Sequence, residues 1–219
     1  MIIKSDINEE EIQKNYDEFI EFLKKSFTGE RLEKLLFMYS PDELGNELSI
    51  APASLSENFH FCFPNGYMLH IMRVVEASRK VENTWKEMGG KIDYNEEERI
   101  FASLHHDLGK IGSKELGTYY VLQDNDWKRK QGEVYKLNPN LQYMEASERA
   151  LFTLQNYGIK TTWKEVLGIR LADGLYKESN KSYLVTFRPE MYLKSCLPRI
   201  IHIADYISAT TERDIMDFQ

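Results

Sequence analysis

Five histidines occur in the chain, His60, His70, His105, His106 and His202, and three of them sit where chemistry is plausible. The run ASLHHDLGK puts His106 and Asp107 side by side near the end of an apolar helical pattern. Successive helical residues point about 100° apart, so this pair converges only on something near the helix end. A divalent cation fits, because neutral imidazole and carboxylate both ligate Mn, Fe, Co, Ni or Zn. A pair of helix-end capping hydrogen bonds fits the same nine residues. His70 lies on the apolar helix YMLHIMRVV, and Asp205 interrupts the apolar run IIHIADYIS. A lone His70 reads as a hydrogen-bonded core histidine, whereas a buried unpaired carboxylate at Asp205 is expensive. Together, three helices each turning a ligand inward describe a metal-centred helical bundle better than three separate accidents.

The elements that must position these residues read as follows. Apolar residues recur at helical spacing from Asn8 to Phe27, and a short helix covers Arg31 to Tyr39, ahead of Pro41. The stretch LGNELSIAPASLSENFHFCFPNG reads as an irregular entrance loop that must pack, because it carries Phe59, Phe61, Cys62 and Phe63. Helices follow over Tyr67 to Met88, stopped by Gly89-Gly90, and over about Asn95 to Leu108, opened by three glutamates. TYYVLQ and GEVYKLN read as strands of a hairpin or flap around the turn-like DNDWKRKQ. Further helices are expected at Ser147 to Asn156, Thr162 to Ala172 and Pro198 to Thr210. The expected fold is mainly α, a helical bundle with one small inserted β-hairpin. Residues 1–45 form an N-terminal helical extension, and 46–219 the core of one continuous domain.

Composition narrows the function. With 219 residues, 42% hydrophobic and 29% charged, the chain is ordinary globular material. Its 35 acidic residues outnumber 28 basic ones, for a net charge of -7, which argues against an extended nucleic-acid surface but leaves room for a local basic pocket. Two cysteines make no disulfide framework or zinc knuckle. Neither an apolar leader nor a stretch of about 20 apolar residues is present, so the expectation is a soluble cytoplasmic protein with no membrane partner.

The order His70, then His106-Asp107, then Asp205 resembles the HD-domain superfamily of metal-dependent phosphohydrolases. The similarity runs over roughly residues 50–210: APASLSENFHFCFPNGYMLHIMRV, LHHDLGK and IIHIADYIS each match a family segment. The flap with Tyr120, Trp127, Gly132 and Tyr135, followed by ASERALFTL, is similar to HD proteins of large bacteriophages, which would mean a host-cell cytoplasm. The resemblance implies an HD-like bundle with His70, His106, Asp107 and Asp205 holding one divalent ion, Mn, Fe, Co, Ni, Zn or Mg. Two departures stand out. Asn65-Gly66 replaces a frequent glycine pair, and no histidine falls between His106 and His202, where some relatives recruit a second metal. A single ion is therefore expected, with Asp173 as a possible carboxylate at the mouth.

Within that family reading, Lys110, one turn beyond His106 if the helix continues through Gly109, joins Asp107 as a catalytic candidate facing phosphate. Its plain alternative is a lysine at a helix C-terminus. His60, Arg73, Asp173 and Lys177 are substrate-binding candidates. Arg73 could equally pair with a carboxylate, and Arg170 with Asp173 as a surface ion pair. Lys181 extends the basic edge, His105 is a core or a catalytic histidine, His202 a supporting or core one, and Tyr119, Tyr120, Trp127 and Tyr135 either stack on a base or pack the hairpin. The resulting expectation is a phosphohydrolase acting on a nucleotide or short oligonucleotide. The rivals are an HD-type 3'-end exonuclease on RNA or DNA, and an inactive metal- or nucleotide-binding regulator.

Overall fold

The computed structural model describes residues 1 and 3–217; residues 2, 218 and 219 of the expected segments 1–45 and 46–219 lie outside the described residues. Helix α1 (Glu9–Ser26) starts at Asn8, whose side chain accepts from the Glu11 amide while Glu11 reaches back to the Asn8 amide. It turns Phe19 and Leu23 inward, and α2 (Gly29–Met38) adds Leu35 and Met38. These residues share one hydrophobic cluster with Tyr67, Met68 and Ile71 of α4 (Gly66–Glu87) and Phe101 and Leu104 of α5 (Glu96–His105). The N-terminal helices and the site-bearing helices are thus built on a common core.

Three elements depart from the expected ones. The entrance loop contains a two-turn helix, α3 (Gly45–Ile50), too short to show a periodic apolar pattern. Helix α5 stops at His105, short of its expected end near Leu108, and a 3₁₀ turn over Leu108–Ile111 follows. Between the hairpin strands β1 (Tyr120–Leu122) and β2 (Tyr135–Leu137) lies a helical turn, α6 (Asp126–Lys130), capped by Asn125. The strands are antiparallel, with Tyr120 opposite Leu137 and Leu122 opposite Tyr135. The Tyr135 amide also donates to the Leu55 carbonyl at 2.9 Å, tying the flap to the entrance loop.

Helices α7 (Ala146–Asn156) and α8 (Trp163–Arg170) fall where expected. A run of 3₁₀ turns and the single-turn α9 (Lys181–Leu184) leads to α10 (Leu197–Asp217). The last helix runs seven residues beyond its expected end at Thr210, because the polar segment TERDIMD continues it and buries Glu212 completely. The fold is mainly α with a small β-hairpin, and no helix among the described residues is long and apolar enough to cross a membrane.

Candidate metal centre

Three helix positions bring the ligands together, and each has a local cause. The start of α4 is set by Asn65 in the left-handed region (φ +70°), a conformation Asn tolerates. Its side chain donates to the Ser49 carbonyl and accepts from Asn15, while a Cβ on Gly66 would lie 2.1 Å from the Phe61 carbonyl oxygen. Asn65-Gly66 therefore sets the tight entry to α4, and His70 follows on its first turns. His106 closes α5, and Asp107 opens the 3₁₀ turn. That turn sits so close to α7 that a Cβ on Gly109 would meet the Ala146 carbonyl oxygen at 2.2 Å. Asp205 comes from the middle of α10.

The ligand atoms converge. His70 Nε2 lies 3.3 Å from His106 Nε2 and 3.2 Å from Asp205 Oδ1, with His106 Nε2 to Asp205 Oδ1 at 3.5 Å. Asp107 Oδ2 stands 3.6 Å from His106 Nε2 and 3.9 Å from His70 Nε2. Atoms sharing an ion at about 2.0–2.2 Å stand roughly 3.0–3.5 Å apart, which is the spacing seen in the inner three.

The hydrogen bonds on the far side of each ring decide what this convergence means. His106 Nδ1 is 2.8 Å from the Ser103 carbonyl, which only accepts, so Nδ1 carries the hydrogen. His70 Nδ1 is 2.9 Å from a Glu212 carboxylate oxygen, with the same consequence. Unless Nε2 is protonated as well, both rings direct its lone pair at each other and at carboxylate oxygens. A cluster of acceptors alone requires a cation at its centre: protons or a metal ion. The electrostatics agree. Burial disfavours charge on His70, yet Glu212 and Asp205 push its pKa up to about 10. His106 is likewise raised, burial being outweighed by Asp107 and Asp205. Burial would raise Asp107, but Lys110 and His106 bring it down to about 2. Asp205, against its own burial, is held well below the usual carboxylate range by His106 and His70. His70, His106 and Asp205 can hold a metal ion, and a set with two imidazoles suits a transition ion better than Mg. His60, His70 and Glu212 form an overlapping group. One neutral imidazole offers one lone pair, so His70 serves only one of the two groups at a time.

The other candidates fall into three places. Lys110 is beside the centre: its Nζ is 2.5 Å from Asp107 Oδ2 and donates to the Ala53 carbonyl at 2.9 Å. The 3₁₀ turn, not a continuing α-helix, puts it over Asp107, since i and i+3 eclipse there. His60, Asp173, His202 and Asp205 line a cleft of about 270 Å³ with Phe59, Tyr176 and Tyr206. The His60 ring is 4.6 Å from that of His70, its buried Nε2 has no hydrogen-bond partner, and burial holds it neutral. Lys177 pairs with Asp173 at 2.7 Å and Glu145 at 3.1 Å, so it braces the cleft wall.

Arg73 lies outside this cleft, its guanidinium 3.1 Å from Glu212. Asp173 takes Lys177, not Arg170, whose guanidinium lies over the Tyr183 ring. Lys181 pairs with exposed Glu178. His105 is a core residue packed on Phe101, and His202 Nδ1 is 2.7 Å from the Ala172 carbonyl. Tyr119 packs on Tyr120, Tyr135 is buried, and Trp127 is exposed on the flap. One residue escaped the sequence reading, Glu212. Its signal was its place two helical turns after Asp205, on the same face of α10. No family model, curated protein or solved structure matches the chain.

Proposed function

We propose that the chain is a metal-dependent phosphohydrolase that cleaves a phosphoester or phosphoanhydride bond of a nucleotide or short oligonucleotide. The observation that carries this reading is the acceptor-only meeting of His70, His106, Asp107 and Asp205, with Lys110 fixed beside Asp107. A divalent ion held there supplies Lewis acidity towards a phosphoryl oxygen and lowers the pKa of water. The remaining work belongs to the side chains. Two Lys110 N–H groups are used by Asp107 and Ala53, leaving the third to meet a phosphoryl oxygen as a compact positive charge. His60, which burial holds neutral, lines the cleft with its ring against that of His70. Asp173, held by Lys177, lines the same cleft. The resemblance to the HD superfamily supports the same chemistry, and two free cysteines suit a reducing cytoplasm.

A product-release screen read by chromatography, over nucleotides, cyclic nucleotides and short RNA, run with Mn, Fe, Co, Ni, Zn and Mg, tests this reading. Release from at least one small phosphorylated substrate, dependent on the added ion, is expected. Tight ion binding with no release from any substrate would replace the enzyme by a binding regulator.

A further inference from the structure

Glu212 is buried completely, on a helix segment whose sequence reads as solvated. Its carboxylate takes His70 Nδ1 at 2.9 Å on one oxygen and 3.2 Å on the other. The Arg73 Nε donates to the same carboxylate at 3.1 Å, and Arg73 Nη2 donates to Thr211 Oγ1, also at 3.1 Å. His70 and Arg73 are one turn apart on α4, so one carboxylate of α10 receives two donors from one face of the facing helix.

We propose that Glu212 is the positioning residue of the metal centre, with Arg73 as its anchor. The function rests on the metal reading above. A carboxylate only accepts, so it admits only the ring form of His70 with hydrogen on Nδ1 and leaves the Nε2 lone pair facing His106 and Asp205. An amide in its place could instead donate to Nδ1 and turn the hydrogen to Nε2, where it would block an ion. The Arg73 guanidinium pairs with the buried carboxylate and fixes the direction from which it grips the ring. Arg73, a substrate-binding candidate in the sequence, is thereby assigned to the support of His70 from behind.

The rival role is a brace between α4 and α10, and Glu212→Gln separates the two. For positioning, the affinity for Mn²⁺ alone, measured by calorimetry, falls roughly 10- to 100-fold. The His70 Nδ1–H proton resonance, shifted downfield and protected from exchange in the metal-free wild type, is lost or moves upfield. A brace would lower the melting temperature and leave both readouts unmoved, and that result would overturn the proposal. Should Glu212→Gln not fold, Arg73→Gln carries the same test, with a displaced resonance and weaker Mn²⁺ binding expected and two unchanged readouts overturning it. A wild type that binds no Mn²⁺, but whose His70 resonance still depends on Glu212, would remove the metal reading and leave the positioning role standing.

Discussion

Lys110 is the residue on which the proposed function turns, because it pairs with Asp107 and is the group that the proposal sets against a phosphate. With its side chain 14% exposed and Asp107 at 11%, the pair is nearly buried, and removing one partner of such a pair costs about 3–5 kcal/mol. Lys110→Ala is expected to destabilise the metal-free protein on that scale in denaturant unfolding, and less when Mn²⁺ supplies Asp107 with another positive partner. Its kcat/KM should fall about 100-fold or more, with Lys110→Arg restoring only part. A variant with unchanged kcat/KM would remove Lys110 from the chemistry. The raised pKa values of His70 and His106 give a second test. A histidine whose folded pKa is raised adds stability below its unfolded value, about 6.5, and that stability is lost as pH climbs towards the folded value, about 10 for His70. Metal-free protein should therefore lose stability on this account from pH 6 to pH 8. An ion displaces those protons, so the rise in Tm on adding Mn²⁺ should be larger at pH 8 than at pH 6. An equal rise at both would place the ion away from the histidines. The inner ligands were legible at this scale because histidine is scarce and a carboxylate in IIHIADYIS is anomalous. Glu212 was not, since in TTERD a glutamate looks like any solvated helix residue until its facing helix is known.

Among the elements, the 3₁₀ turn over Leu108–Ile111 does the most to shape the site. It brings Asp107 and Lys110 together and seats them against α7 through a contact that leaves no space at Gly109. Gly109→Ala is expected to cost about 1–3 kcal/mol, the range for overpacking, and to reduce metal affinity as well, because the turn must move away from Ala146. Thermal melts and Mn²⁺ calorimetry on this variant check both. The long helices were readable from apolar spacing, and the structure adds capping boxes at Asn8, Asn95 and Thr162. Shorter pieces were not. Helix α3 has six residues and α6 five, and neither is long enough for a period to emerge. The end of α5 was hidden too, because its apolar pattern runs on through Leu108 after the backbone has tightened.

Over the whole molecule, charge and shape set what the site can take. A net charge of -7 and a cleft of about 270 Å³, with Lys177 already committed to two carboxylates, leave no extended basic track for a polymer, so the proposed substrate is a small one. Activity should therefore depend weakly on added salt. A polymer nuclease that neutralised six to ten phosphates would lose roughly 10³–10⁵ in affinity between 50 and 200 mM salt, and such a slope, with no mononucleotide turnover, would favour the 3'-end exonuclease. The central claim is the metal ion itself. Anomalous diffraction from Mn²⁺-soaked crystals tests it most directly. One peak per chain is expected, about 2.0–2.3 Å from His70 Nε2, His106 Nε2, Asp107 and Asp205, and absent from Asp205→Ala crystals soaked in the same way. No peak between those four side chains, or two peaks of equal height, would contradict the single-ion centre.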